Sequence, residues 1–391
     1  MSNIPEAHRA EAQNVLMWLT FCEVPLTLGS VADAAVIDRQ SRVFNIEDRF
    51  FDVHDLLKIC SSFVSLDESK STTKIGNFSF YLEDEFLTDD KLILRLAHFS
   101  VKEYILSKKN DVTGFLQSDM INTAELFMAE TCLIYLLSID INDLTYNGYC
   151  KEYPFVDYAA FYWFRHYDKL PTEEEQKVED LMLALLNSEA SYKSWVRAYQ
   201  CHYRYRYVEN LPPEPPLVFV SRLGIVKAVK ALVHRGLGTA AEGLLTRSLY
   251  QACCRGWENV VGILLHAGAR VDSCLENTPL ERTPLVVATR NGHDKILNVL
   301  LDKGMKNSQV DLNNLNYAFG WALVARNLEA VKILVKAGAD IHAPLPKISH
   351  LSSYLRRVEH AGLCKYRPIV RYLTSEGAGS HIKNLREAKL R

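Results

Sequence analysis

The chain has 391 residues, 48% of them hydrophobic and 24% charged, with a net charge of −2. At about 150 residues per domain this is roughly two or three domains, each able to bury its own core, and the balance excludes a disordered, collagen-like or coiled-coil protein. Nine scattered cysteines, an odd number, point to a reducing compartment. The apolar runs are far shorter than the roughly 20 residues a membrane span needs. The first thirty residues lack a basic start followed by an apolar stretch, so they do not read as a signal peptide. A soluble intracellular protein of the cytoplasm or nucleus, with no membrane partner, is expected.

From the N-terminus, a helix is predicted over 6–21, with Val15, Leu16, Trp18 and Leu19 apolar, and Pro25 follows its end. A second helix is predicted over 30–37. A third is predicted over 52–61, with Val53, Leu56, Leu57 and Cys60 on one side. Phe63, Val64, Ser65 and Leu66 open a strand. Residues 75–82 and 92–97 alternate apolar and polar at period two, as strands do. A helix over 100–107 closes the segment. Helices followed by a hairpin and a helix suggest a small α+β, winged-helix-like domain over 1–110.

The motif Leu96-Ala97-His98-Phe99-Ser100-Val101-Lys102-Glu103-Tyr104 is joined by three others. They are Val24-Pro25-Leu26-Thr27, residues 52–62, and Tyr153-Pro154-Phe155-Val156-Asp157-Tyr158-Ala159-Ala160 with Trp163 and His166. Together they resemble the region that follows the NACHT nucleotide-binding domain in fungal NLR-like (STAND) proteins. In that family a winged-helix segment and a helical segment lead to C-terminal repeats, often ankyrins. The resemblance implies a helical connector over 111–210. No glycine here is followed by lysine, so the phosphate-binding loop of an NTPase is missing from the sequence. DNA reading by the winged helix is disfavoured on charge. The third helix offers only Lys58 against Asp52 and Asp55, and the wing region carries Glu83, Asp84, Glu85, Asp89 and Asp90. Protein docking is the preferred role.

Residues 203–207 alternate tyrosine and arginine, a pattern that stacks on bases or builds an edge strand. Direct nucleic-acid binding is the less favoured of the two. The prolines over 212–216 read as a semi-rigid spacer. Charge changes sign near this point. Residues 1–210 hold 20 Lys+Arg against 33 Asp+Glu, and residues 211–391 hold 25 against 14. The two halves attract each other or face different partners.

The second half repeats itself. Segments beginning at Gly224, Gly256, Gly292 and Arg326 each meet a closing glycine twelve residues later, at Gly236, Gly268, Gly304 and Gly338. The closing glycines are 32, 36 and 34 residues apart, and a degraded fifth unit reaches Gly377, 39 residues on. Apolar positions such as Val261, Leu264 and Leu265 fall on one helical face, and the closing glycine is expected to supply a left-handed stop. One such unit cannot bury its stripe alone, so neighbours must stack.

Thr283-Pro284-Leu285-Val286-Val287-Ala288 with Asn291-Gly292-His293, and the run from Leu328 to Ile341, resemble ankyrin repeats. Val286 stands where that family often has a histidine, Arg326 and Lys365 replace the internal glycine, and residues 275–282 are an insertion. The resemblance implies about four repeats and a degraded cap over 211–391, and binding rather than chemistry. Arg222, Arg255, Trp257, Arg290 and Trp321 are the partner-binding candidates, being large residues near the inter-helix turns and of types enriched at hot spots. Trp257 and Trp321 could instead fill gaps between repeats.

Chemical motifs are absent from the sequence. There is no His-Glu-x-x-His helix, no Gly-x-Ser-x-Gly elbow and no Cys-x-x-Cys pair. Cys253 and Cys254 read as small packing residues, and His98 as a buried, hydrogen-bonded histidine. His234 and His266 lie one repeat length apart and mark equivalent positions. No catalytic, cofactor or metal residue is assigned, and a small-molecule substrate is not expected. The basic tail reads as a polar cap or a docking segment for an acidic partner. The fold expected is mainly α: a small α+β domain, a helical connector and an ankyrin solenoid. The function expected is a non-enzymatic adaptor or scaffold whose basic half suits an acidic protein partner. A nuclear transcription coregulator, or the regulatory portion of a NACHT-type switch, are the competing readings.

Overall fold

The computed structural model describes residues 8–60, 63–68, 74–75, 78–79, 92–106, 120–202, 213–236, 242–271, 283–307, 309–341 and 367–376. The acidic wing at 83–90, the Tyr/Arg alternation at 203–207, the insertion at 275–282, Lys365 and the tail beyond 376 lie outside the described residues. The protein is mainly helical and divides into two compact units, Met1–Pro213 and Glu214–Arg391. The expected segments 1–110 and 111–210 both lie in the first.

In the first unit, α1 (Arg9–Phe21) buries Val15, Leu16, Met17 and Trp18. β1 (Leu26–Thr27) runs straight into α2 (Leu28–Ala35). Thr27 Oγ1 accepts the Ser30 N–H, so this helix starts earlier than its apolar pattern predicts. All eight residues of α2 are buried. α3 (Asp55–Cys60) is shorter than predicted because Asp52 accepts the His54 N–H at 2.9 Å and holds a turn ahead of it. β2 (Val64–Glu68) follows. β3 (Lys74–Ile75) and β4 (Phe78–Ser79) pair with each other at the start of the stretch 75–82 predicted as one strand. β5 (Leu92–Leu96) pairs antiparallel with β1 and β2, giving the order β1–β5–β2. α4 (Phe99–Leu106) comes next. His98 is exposed there, not buried: its Nδ1 bonds Ser100 Oγ at 2.8 Å and accepts the Ser100 N–H at 3.1 Å, in the first turn of the helix.

Five further described helices follow in the unit: α5 (Met120–Ser138), α6 (Tyr146–Glu152), α7 (Val156–Lys169), α8 (Thr172–Asn187) and α9 (Glu189–His202). α5 packs against α7, α8 and α9, and also against α1 and α2. The core is aromatic. Trp18 meets Phe155 and Tyr158 edge-on at 5.0 and 5.4 Å, and Trp163 meets Trp195 at 5.4 Å.

Two buried polar networks tie distant segments together. Arg49 donates to both carboxylate oxygens of Asp33, at 2.7 and 2.8 Å, and to Glu152 O. Tyr135 donates to the same carboxylate at 2.6 Å. In the second network Tyr158 accepts the Glu23 N–H and bonds His166 Nε2 at 2.9 Å, while His166 Nδ1 meets Glu125 Oε2 at 2.5 Å. Lys169 donates to Glu125 at 3.0 Å and to Glu23. Ser30 adds a bond to Pro154 O, so the segments 24–30 and 153–160 are joined directly.

Burial raises the Glu125 pKa, but the hydrogen bonds from His166 and Lys169 outweigh it and leave the carboxyl below its ordinary value. A depressed carboxyl contributes stability that is complete above the unfolded-state pKa and is lost as pH falls through the folded-state pKa. Acid titration followed by circular dichroism will therefore show a smaller loss of stability on acidification for Glu125→Gln than for the wild type.

The second unit is a series of helix pairs: α10 (Pro216–Leu223) with α11 (Val226–His234), α12 (Glu242–Arg255) with α13 (Glu258–His266), α14 (Pro284–Asn291) with α15 (Asp294–Lys306), and α16 (Leu312–Ala325) with α17 (Leu328–Lys336). First helices pack on first helices and second on second. A last described helix, Arg367–Ser375, packs on α17. The predicted apolar stripe is the interface: Val229, Leu232, Val261, Leu264, Leu265, Leu297, Leu300, Leu301, Val331 and Leu334 are buried, and Val233 and Val335 half-buried.

Gly236, Gly268 and Gly338 take positive φ after their helices, as expected. Gly304 does not. It lies inside α15, which runs on to Lys306. A Cβ there would meet Val310 Cγ2 at 2.5 Å and Val271 Cγ2 at 2.6 Å, so packing, not a left-handed turn, demands the glycine. At the internal turns Gly224, Gly256 and Gly292 have φ near 80°, and Arg326 takes the same place at φ 57°. Gly304→Ala is expected to lower stability by about 1–3 kcal/mol through overpacking. Arg326→Gly is expected to raise it by about 0.5 kcal/mol, as relief of left-handed strain exceeds the added chain entropy. Urea denaturation midpoints of the two variants check both signs.

Candidate binding surface at the hairpin turns

The turn between the two helices of each hairpin is built by a left-handed residue and covered by the next hairpin. Pro216 and Pro284 start α10 and α14, where the missing N–H costs nothing. Thr283, Asp311 and Asn327 cap α14, α16 and α17. At the far end of each first helix the left-handed residue returns its N–H to the last carbonyls; Gly292, for example, reaches Thr289 O at 3.2 Å.

The residue after that turn position in each hairpin leans on the preceding turn. Trp257 lies over Gly224, where a Cβ would come within 2.5 Å of its indole ring, and its Nε1–H donates to Arg222 O at 3.0 Å. His293 lies in the same way over Gly256. Asn327 approaches Gly292 and donates to Asp294 Oδ1 at 2.6 Å. Asn291 reaches back to Cys254 O at 2.8 Å. Between these turns a hollow is lined by Gly256, Glu258, Gly292, His293, Asp294 and Lys295. His293, Asn327 and Asn291 were not singled out from the sequence. Their common signal is position, beside the turn residue of each unit.

The five sequence candidates divide. Trp257 is a clasp between hairpins, although 41% of it remains exposed. Arg222 is half-buried, ion-paired to Glu214 at 3.2 Å and over the Phe219 ring at 4.9 Å. Arg290 is exposed and its guanidinium lies 5.6 Å from the Trp321 ring centre, so these two candidates meet across consecutive hairpins. Trp321 is half-buried. Arg255 is exposed on the last turn of α12.

Five of the described thiols are poorly suited to nucleophilic chemistry. Burial pushes Cys22 and Cys60 up to about 11, and Cys132 and Cys253 well above the ordinary thiol value. Cys254 is raised by burial despite a hydrogen bond from Tyr250 and the nearby guanidiniums of Arg290 and Arg255. No group of three or more His, Cys, Asp or Glu side chains that could hold a metal occurs among the described residues. No described helix is long and apolar enough to cross a membrane.

A family model described as ankyrin repeats (3 copies) matches residues 249–344. Residues 249–344 are ankyrin repeats. The α10–α11 hairpin precedes that stretch and makes the same turn, so the ankyrin geometry begins before the matched residues. The azaphilone pigments biosynthesis cluster protein L of Monascus ruber is 26% identical over 315 residues, covering 78% of this chain and 57% of its own length. The chain thus spans little more than half of that relative. The solved human ASB11 ankyrin repeat domain is 20% identical over 41% of this chain and 92% of its own, with a TM-score of 0.20.

The clasp is separable from the free surface. Trp257→Ala removes the ring over Gly224 and the bond to Arg222 O, and is expected to cost about 2 kcal/mol. Arg255→Ala is expected to change stability by no more than about 0.5 kcal/mol. Thermal unfolding of both variants measures the difference.

Proposed function

We propose that this chain is a non-enzymatic interaction protein, a regulatory adaptor or scaffold, that holds a protein partner on the turn ends of its ankyrin hairpins. The observation that carries this reading is the Arg290–Trp321 stack beside exposed Arg255. Arginine and tryptophan are the side chains that dominate hot spots, and stacking presents them already ordered. Affinity purification of tagged full-length chain with mass spectrometry tests it. Arg255→Ala with Arg290→Ala is expected to reduce capture of the specific partner at least tenfold. Lys303→Ala with Lys306→Ala, at the far end of a second helix, is expected to leave capture unchanged. Equal loss from both pairs would overturn the assignment of the surface.

One finer reading has its own support. The helix order and the strand order β1–β5–β2 support a winged-helix arrangement for the first part of the chain. That arrangement, with the motifs joined by the Ser30–Pro154 and Glu23–Tyr158 bonds, favours descent from the regulatory portion of a NACHT-type switch. The chain itself is proposed not to bind ATP or GTP. A role as transcription coregulator acting through a DNA-binding partner is the competing reading. Exclusion of a tagged copy from nuclei would remove the coregulator reading.

A further inference from the structure

The two compact units carry opposite charge. Residues 1–213 hold 20 Lys+Arg against 33 Asp+Glu, and residues 214–391 hold 25 against 14. Each unit also exposes large apolar side chains beside charges of its own sign. On the first unit the segment 43–52, between α2 and α3, exposes Val43, Ile46 and Phe51, the last completely. This exposure is not slackness. Val43 and Asp38 exchange both backbone hydrogen bonds at 3.1 Å. Phe44 is buried on Tyr135 and its N–H reaches Ser138 Oγ at 3.1 Å. Arg49 is fixed by Asp33, and Asp52 holds the turn at His54. Phe51 stands between these last two anchors. A phenylalanine held in this way combines a large apolar area with little freedom left to lose. Glu47, Asp48 and Asp52 are exposed around it, and Glu47 and Asp48 have no basic partner among the described residues. Arg42, just ahead of the segment, is the opposing charge.

On the second unit the exposed large apolar side chains, among the described residues, are Trp257, Val299, Met305 and Leu312. Trp257 belongs to the clasp. The other three lie on α15 and at the start of α16, and the Gln309 N–H donates to Gly304 O at 2.9 Å where the chain passes between those helices. Lys295, Lys303 and Lys306 stand four residues before, four after and seven after Val299, on the same side of α15. Lys306 pairs with Asp302 at 2.9 Å and Lys295 with Glu258 at 3.5 Å, both at the surface. Lys303 has no acidic partner among the described residues. That side of α15 is therefore basic with an apolar centre, where the segment 43–52 is acidic with an apolar centre.

We propose that the chain associates with a second copy of itself, the segment 43–52 of one copy docking on the lysine side of α15 of the other, with Phe51 buried at Val299. Glu47 and Asp48 of the first copy then face Lys303 and Lys306 of the second. Either surface docked on its own equivalent would set like charges against each other, which costs affinity, so the contact is heterologous. A second copy is the occupant because one chain supplies both surfaces in equal number, and because the charges of the two units nearly cancel. The contact uses neither Arg255 nor Arg290, so it goes beyond the partner reading and stands or falls apart from it.

Sedimentation equilibrium of the full chain at rising concentration tests it. The wild type is expected to exceed the monomer mass, and the excess to shrink at about 1 M salt, where the screening length is about 3 Å. Phe51→Ser is expected to weaken association about tenfold or more. Glu47→Lys with Asp48→Lys, and Lys303→Glu with Lys306→Glu, are each expected to lose association, because each sets like charges across the contact. An equimolar mixture of the two reversed chains is expected to regain it, since each then offers the charge the other needs. Recovery in the mixture cannot come from a contact within one chain. Melting temperatures equal to the wild type verify that the variants are folded, and if a reversed chain fails to fold, Phe51→Ser decides. A wild type that stays monomeric at every concentration, a Phe51→Ser chain that associates as the wild type does, or a mixture no heavier than its folded components would each overturn the proposal.

Discussion

Each ankyrin hairpin depends on one left-handed residue between its two helices. The backbone must reverse there within two or three residues, and only a positive φ returns the N–H to the last carbonyls of the first helix. Gly224, Gly256 and Gly292 adopt it without the Cβ penalty. Their missing Cβ has a second consequence, because the vacated space receives Trp257 over Gly224 and His293 over Gly256. The turn geometry of one hairpin therefore makes the seat for the next. Stability in such an array is a sum of unit and neighbour terms, and these seats are a polar and aromatic part of the neighbour term, added to the aliphatic stripe beneath. At Arg326 the same turn is made by a residue with a Cβ, at a cost that packing elsewhere must cover.

The first unit solves a different problem. Its larger described sheet has three short strands and cannot organise so many helices by itself. Order comes instead from Trp18, Phe155 and Tyr158 at the centre and from buried charges that are fully partnered. Asp33 accepts from Arg49 twice and from Tyr135 once, which joins α2, α5 and the segment between α2 and α3. A buried pair of this kind adds little net energy over an apolar core, but loss of one partner leaves a naked charge. Its consequence is specificity of arrangement: alternative packings of these helices would strand Asp33.

The periodic parts of the fold were legible in the sequence, because spacing of three and four determines which face a helix buries whatever its neighbours are. The stripe at Val261, Leu264 and Leu265 is an example. Turn chemistry was legible where glycine had one possible reason to be present, and failed at Gly304, where a packing demand from Val271 and Val310 mimics a helix stop. Helix starts shifted wherever a side chain capped the backbone, as at Thr27, since periodicity contains no information about caps. His98 was misplaced because a histidine in an apolar context resembles a core residue, whereas its role is to hold the first turn of α4 from the surface. At the candidate surface, residue type alone brought out Arg290 and Trp321 but not their contact, and it brought out Trp257 without distinguishing a clasp from a hot spot. Those distinctions rest on distances between repeats, which no single repeat contains.

The same distances bear on how strongly the surface can bind. Arginine side chains carry about 2 kcal/mol of rotamer entropy, part of which is lost when a partner immobilises them. Arg290 is already restrained by the Trp321 ring, and Arg222 by Glu214 and Phe219. Little freedom remains for a partner to remove at either, but Arg222 must exchange an existing carboxylate for a new one. Among the described residues nothing restrains Arg255 or pairs with it, so its contact costs more ordering. The three positions are therefore energetically unlike. Arg290 combines that restraint with, among the described residues, no carboxylate partner, which makes it the position where contact with a partner gains most.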